Sequence, residues 1–312
     1  MDAIPNISCS RTIKLMGNRF EFTAIAKSKQ SGDDAIDAAI AEVQRIESLL
    51  SSFKEDSQVN EINKFAGIKT VPVDREVIEL INRSTKISTV TQGAFDITYG
   101  SIDKSLWSFD IHMTALPDQQ TALKAVERIN YKNVLVDDDA GTVMLKMEGM
   151  RIGFGGIGKG YAADQAKKLM QSMGIESGIV NAAGDLITWG TQLDGSNWTI
   201  GIANPDQKQD AFSALSISNM AIATSGNYEK YAVIDGKKYS HTINPKTGLP
   251  VHGIKSVSII CPSGELADAL ATPILVMGVS VGLDLINQLN NVACVIIDDD
   301  NRIYTSNNIN LT

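Results

Sequence analysis

The sequence predicts an α+β fold. Amphipathic helical stretches occupy much of the first half and return near the C-terminus. Strand-like alternation fills most of residues 178–261. The two kinds of segment mix without regular βαβ alternation. No repeat, low-complexity run or linker divides the chain. One mixed domain is therefore expected over residues 14–305, with tails at 1–13 and 306–312.

Residues 14–26 read as a strand interrupted at Met16-Gly17-Asn18. Residues 33–50 place Ile36, Ala39, Ile40, Val43, Ile46, Leu49 and Leu50 on one helical face. The polar run 51–57 then carries one aromatic, Phe53. On local pattern alone Phe53 caps the core at the helix end. A second helix spans 74–91, with Val77, Leu80, Ile81, Thr85, Ile87 and Ser88 inward and Gly93 as its stop. Asp96 follows between Phe95 and Ile97. A carboxylate in such company needs a partner, so it either caps a turn or holds a ligand. A third helix is expected over 117–128 and a hairpin over 133–147, turned at the acidic run 137–141.

After a glycine-rich stretch and its helix, residues 178–182, 186–190, 198–203, 212–217 and 221–226 read as strands. A hairpin over 228–242 turns at Asp235-Gly236, and the irregular loop 240–248 leaves it. Residues 254–261 form another strand. Ser263 caps a helix on which Asp268 and Thr272 lie four apart on one face, with Pro273 inside it. A helix over 281–289 and a hairpin over 292–305 end the domain.

The chain has 312 residues, 43% hydrophobic and 21% charged, enough for a real core. Its formal charge of −8 and lack of a basic block argue against nucleic acid as a partner. No apolar run reaches the ~18 residues of a membrane span. Residues 1–10 lack the pattern of a signal peptide. The three cysteines, Cys9, Cys261 and Cys294, form no metal or disulfide pattern, and the last two read as core.

The domain centres on Ile152-Gly-Phe-Gly-Gly-Ile-Gly-Lys-Gly-Tyr161, where five glycines fall between Gly153 and Gly160. A helix follows, with Ala162, Ala166, Leu169, Met170 and Met173 on one face and Gly174 as its stop. Glycine this dense at a helix start suits close backbone approach to an anion such as phosphate. It equally suits a tight strand-to-helix turn. The stretch is not a P-loop, having no Gly-Lys-Ser/Thr. It matches G-x-G-x-x-G at Gly153, Gly155 and Gly158. The strand after it, however, offers Asn181 where a dinucleotide fold needs an acid for the ribose.

Five pieces stand in order: Met16-Gly17, Gly93-Ala-Phe-Asp96-Ile-Thr98, Gly155-Gly-Ile-Gly-Lys-Gly-Tyr-Ala162, Ala223-Thr-Ser-Gly226 with Tyr239-Ser-His241-Thr-Ile-Asn-Pro-Lys-Thr-Gly248, and Ala267-Asp-Ala-Leu-Ala-Thr272. Together they resemble the ApbE family of FAD:protein FMN transferases, over about residues 14–305. The resemblance implies a flavin site between the glycine-rich loop and the β-rich half. It implies a magnesium-dependent enzyme that splits FAD and attaches FMN through its phosphate to Ser or Thr of a partner flavoprotein. Hydrolysis of FAD to FMN and AMP, or flavin binding without turnover, are the alternatives.

By the same resemblance Asp268, Thr272 and the backbone carbonyl of Gly156 hold Mg2+, a set of hard oxygens. Met16, Ala94, Phe95, Asp96, Gly153, Lys159 and Ile243 match positions that contact FAD. Phe53 matches an aromatic beside the flavin ring. His241 is the candidate base, since imidazole titrates near neutrality; the other two histidines, His112 and His252, have no comparable setting. Its alternative role is to hold the Asn244-Pro245 turn. Gly153 stands where many members have Asp, Phe53 where many have Tyr, and Pro273 follows Thr272 directly. The family's acceptor motif, Asp-x-x-Ser/Thr-Gly-Ala-Thr, has no copy here, so self-flavinylation is not expected. Family likeness also implies a periplasmic or membrane-facing setting; with no leader visible, a cytoplasmic one is the alternative.

Overall fold

The computed structural model describes residues 6–107, 113–204, 207–226 and 231–309. In chain order the elements are β1 (Ile7–Leu15), β2 (Asn18–Ala26), α1 (Lys29–Leu50), α2 (Gln58–Lys64), β3 (Val71–Pro72), α3 (Arg75–Val90), α4 (Gln119–Ala125), β4 (Val134–Asp137), β5 (Thr142–Leu145) and α5 (Gly158–Ser172). Then come β6 (Ser177–Ala182), β7 (Asp185–Trp189), β8 (Trp198–Asn204), β9 (Gln207–Ile217), β10 (Ala221–Gly226), β11 (Tyr231–Ile234), β12 (Lys237–Ser240), β13 (Ile254–Cys261), α6 (Gly264–Met277), α7 (Val279–Asn287), β14 (Ala293–Asp298) and β15 (Ile303–Thr305). The predicted mixture of helix and sheet is present.

Among the described residues, the main sheet runs β1-β2-β6-β7-β10-β13-β14-β15, each neighbour antiparallel. Its central strands β13 and β14 are apolar on both faces, and the alternation sorts the residues. Ile259 and Cys261 of β13, with Cys294 and Ile296 of β14, join the main core. Helices α1, α5, α6 and α7 cover that face. Ile260 and Val295 point the other way, into a smaller cluster with Trp198 and Ile200 of the β8–β9 hairpin. There both faces are buried, so β13 and β14 read as near-continuous apolar runs.

Several sequence expectations shift. Residues 14–26 are not one interrupted strand: β1 and β2 form a hairpin, because Met16 (φ 49) and Gly17 (φ 73) adopt the left-handed pair of a type I′ turn. The sheet therefore takes in residues from Ile7 onward, ahead of the expected boundary at 14. Helix α1 starts before residue 33, because the Ser28 hydroxyl accepts the Ser31 N–H. The polar run 51–57 is followed by a helix, α2, capped the same way by Ser57. On α3, Ile78 and Ser84 are buried as well, while Thr85 and Ile87 are half-buried, Ile87 against the main core. On α5, Met173 closes the helix exposed. Ser306 is buried and its hydroxyl accepts the Cys294 N–H at 2.9 Å, so the chain past residue 305 is tied to β14. Part of the expected strand 228–234, and His112, lie outside the described residues.

Candidate functional site

The glycine stretch is pinned from both sides. Asn63 on α2 donates to the Ile152 carbonyl at 3.0 Å and accepts the Ile152 N–H at 2.7 Å. The next N–H, of Gly153, donates to the Ile97 carbonyl at 2.9 Å. Phe154 and Ile157 are buried beneath the turn. Its glycines then divide by cause. A Cβ on Gly160 would lie 2.0 Å from the Gly264 carbonyl oxygen, so that glycine exists to let α5 approach α6. A Cβ on Gly155 would meet nothing. On Gly153 or Gly156 it would meet only Ser52 at 3.9 Å or Phe95 at 3.7 Å. None of these three has a left-handed φ. Neither packing nor conformation demands glycine there, which leaves room for another molecule against the backbone.

A charged cluster lies at the start of α5. The Lys159 ammonium contacts the Asp185 carboxylate and stands 3.3 Å from Oδ1 of Asp268. Asp268 Oδ2 accepts the Gly160 N–H at 3.1 Å, and Asp185 Oδ1 accepts the Thr224 N–H at 3.3 Å. One turn along α6, the Thr272 hydroxyl bonds to that of Ser225 at 2.9 Å. Burial, reinforced by the Asp268 charge, pushes Asp185 up to about 6 against the pull of Lys159. Burial works to discharge Lys159, but the two carboxylates prevail and hold it above its ordinary value.

An ammonium drawn between two buried carboxylates marks a place that favours a cation. Among the described residues no group of three or more His, Cys, Asp or Glu could hold a metal. A hard cation here would therefore draw on hydroxyl and carbonyl oxygens as well, a donor set that suits Mg2+ and not zinc.

Of the expected flavin contacts, Phe95 and Met16 border the glycine stretch. Phe95 packs over Gly156, and the Met16 methyl would lie 3.7 Å from a Cβ on Gly158. Ser52, next to Phe53, faces Gly153. Phe53 does not cap the core: its side chain is 94% exposed, held out by a turn in which its N–H donates to the Ser51 hydroxyl. Gln92 and Gly93 both take left-handed φ, which turns the chain so that Ala94 and Phe95 follow α3 directly.

Asp96 resolves toward turn capping. Its Oδ1 accepts from the Thr98 N–H at 2.8 Å and hydroxyl at 2.6 Å, and its Oδ2 accepts the Tyr131 N–H at 2.8 Å. Burial raises its pKa, opposed by these bonds.

The His241 loop meets this arm. Gly93, Asp96, Asn130, Tyr131, Pro245 and Lys246 help line a cavity of about 360 Å³. Ile243 is buried and its N–H donates to Tyr99 Oη at 3.0 Å. The Asn244-Pro245 turn closes through Asn244 itself, which accepts the N–H groups of Lys246 and Gly248 at 2.9 Å. Gly248, at φ 68, admits no side chain: a Cβ would fall 1.9 Å from the Ala122 carbonyl. His241 is exposed at the start of this loop. His252 packs edge-on to Tyr239.

Sequence reasoning missed Asp185, Asn63 and Tyr99. Asp185 was the most findable, as an acid opening a strand with no turn left to cap. Asn63 and Tyr99 act on backbone groups far away in sequence, which no local pattern reports.

The ApbE family profile matches residues 16–296. The chain belongs to the ApbE family. A Klebsiella pneumoniae relative named FAD:protein FMN transferase is 31% identical over 271 residues, 85% of this chain and 77% of that protein. A Treponema pallidum protein of the same name is 30% identical over 290 residues, 87% and 80% of the two chains. Among solved structures, the ApbE protein of Thermotoga maritima superposes with a TM-score of 0.84 at 30% identity, covering 96% of this chain and 97% of that one. The flavinyl transferase ApbE of Pseudomonas stutzeri, in its apo form, gives 0.84 at 26% identity, with 98% and 97% covered. The ApbE fold thus extends over nearly the whole chain. Among the described residues no helix is long and apolar enough to cross a membrane.

Proposed function

We propose that this chain is a magnesium-dependent FAD:protein FMN transferase that joins FMN by a phosphoester bond to a Ser or Thr of a partner flavoprotein and releases AMP. The observation that carries the reading is the Lys159 ammonium between Asp185 and Asp268, beside glycines that neither packing nor conformation explains. A metal-bound pyrophosphate needs both features: a carboxylate site that attracts the neutralising cation, and backbone close enough to touch.

Asp268, Thr272 and the Gly156 carbonyl would hold the Mg2+. When bound, the ion neutralises phosphate charge and polarises the P–O bond under attack. Lys159 stands on the same side, its charge shared by Asp185 and Asp268. Phe53 offers an exposed ring to the flavin, while Met16, Ala94, Phe95, Asp96, Gly153 and Ile243 frame the dinucleotide. His241 takes the proton of the acceptor hydroxyl as its oxygen bonds to the FMN phosphorus. The bond from that phosphorus to the bridging oxygen breaks, and AMP leaves.

The test is mass spectrometry of a purified flavoprotein carrying the acceptor motif, incubated with the enzyme, FAD and Mg2+. Expected is a gain of one FMN on Ser or Thr, matched by AMP. If the acceptor gains no mass while FMN and AMP form at an unchanged rate, the protein is an FAD pyrophosphatase. If neither product forms, it binds flavin without turnover.

A further inference from the structure

Asp185 lies in the charged cluster, yet neither the metal set nor the flavin set uses it. We propose that Asp185 is a positioning residue that draws Lys159 off Asp268 and so opens Asp268 to a divalent cation. The inference rests on the reading of Asp268 as a metal ligand.

Three features of the cluster carry it. Asp268 has one oxygen committed, since Oδ2 holds the Gly160 N–H at 3.1 Å. Its other oxygen, Oδ1, is the one that Lys159 approaches at 3.3 Å. A cation arriving at Asp268 must therefore contend with an ammonium already beside the oxygen it needs, and like charges so close repel. Asp185 is anchored and cannot follow either ion. It opens β7 at the β6–β7 hairpin, paired with Ala182, and its Oδ1 accepts the Thr224 N–H at 3.3 Å. Lys159 has a flexible four-carbon stem and three donors. The lysine is the partner able to move, and Asp185 is the carboxylate that still holds it once Asp268 is taken. All three side chains are largely shielded, at 24% exposed for Lys159, 10% for Asp185 and 8% for Asp268, so solvent screens the exchange weakly.

Two opposite shifts in cation affinity follow. Without the Asp185 charge, Lys159 has Asp268 as its remaining carboxylate in this cluster and blocks it more firmly. Without the Lys159 charge, the block on Asp268 Oδ1 is gone, and Asp185 has no ammonium left to draw away.

The experiment uses the full chain without FAD and Mn2+ as a hard divalent probe, with free ion counted by electron paramagnetic resonance. Asp185→Asn should weaken Mn2+ binding about tenfold or more. Lys159→Met should tighten it, and the double variant should return to the affinity of Lys159→Met. Asp268→Asn is the control on the underlying reading. If it binds Mn2+ as the parent does, or if the parent binds none, the metal reading falls and takes the inference with it. If Asp268→Asn loses binding but Asp185→Asn keeps the parent's affinity, or the double variant stays as weak as Asp185→Asn, the inference alone is overturned. The second case would make Asp185 a direct ligand. Should Asp185→Asn fail to fold by circular dichroism, Lys159→Met decides: no gain in affinity overturns the proposal.

Discussion

The Gly160 N–H donates to Oδ2 of Asp268 at 3.1 Å, and a Cβ on Gly160 would lie 2.9 Å from the Asp268 Cβ. The first turns of α5 and α6 thus approach so closely that no side chain fits at Gly160. Asp268 is held by that lock as much as by its own helix.

Gly160→Ala tests the lock. In an open helix the change would stabilise by about 1 kcal/mol. Here the new methyl meets the Gly264 carbonyl, which is backbone and cannot rotate away. The expected outcome is a net loss of about 1–3 kcal/mol or more, seen as a lower urea midpoint with unchanged slope. Equal or greater stability would show that the helices are not so close.

This contact also shows where sequence reading stops. The helices other than α2, the hairpin at Asp235-Gly236 and the strand 254–261 were legible because period and turn chemistry are local. Asp268 and Thr272 were legible as a pair because helical spacing puts them on one face. What stood beside them was not. Asp185 lies 83 residues before Asp268, and the antiparallel order β7-β10-β13, with α6 following β13, brings the two to the same lysine. Even the dense glycines gave one signal for two causes, crowding at Gly160 and open space at Gly155. The β1–β2 hairpin was misread because Met16, at φ 49, is an unusual residue for a left-handed turn position.

Asp96→Asn separates charge from geometry. The carboxylate accepts on both oxygens, from Thr98 and from the Tyr131 N–H. An amide has one acceptor, so one donor loses its partner at a cost of about 1–3 kcal/mol. The pH dependence has a definite sign. Burial raises the folded-state pKa of Asp96 above the ordinary 3.8. The folded protein therefore binds this proton more readily than the unfolded one, and the stabilisation is lost as pH rises through the folded value. The variant lacks that component. Its deficit against the parent, measured by urea unfolding, should be larger at pH 4 than at pH 7. A deficit that grows with pH would contradict the raised pKa.

Phe53→Ala should leave stability unchanged within about 0.5 kcal/mol, because a ring this exposed contributes little to the core. It should still weaken FAD binding. An aromatic contact contributes about 0.5–1.5 kcal/mol, roughly 2- to 12-fold in Kd. Calorimetry with FAD on parent and variant reads the difference, and Phe53→Tyr should keep the parent's affinity. Unchanged binding in Phe53→Ala would remove the ring from the site.

His241 and Tyr99 form the last pair. If His241 is the base, His241→Ala should lose on the order of 10²–10⁴ in transfer rate while FAD affinity stays close to the parent's. The loop that carries it is fixed from below, where the Ile243 N–H donates to Tyr99 Oη at 3.0 Å. Tyr99→Phe deletes that acceptor and keeps the ring among Ile102, Val126 and Ile243. The N–H then lacks its partner and the loop loses its anchor two residues beyond the histidine. A loss on the order of tenfold in kcat is expected, equivalent to about 1.4 kcal/mol, with the base's limb of the pH–rate profile still present. In His241→Ala that limb should vanish. The two variants thus part a residue that carries the proton from one that places it. If Tyr99→Phe matches His241→Ala in both rate and pH profile, Tyr99 does more than hold the loop. If His241→Ala keeps the limb, the base lies elsewhere and Asp96, a half-buried carboxylate lining the cavity shared with Pro245 and Lys246, is the next group to test.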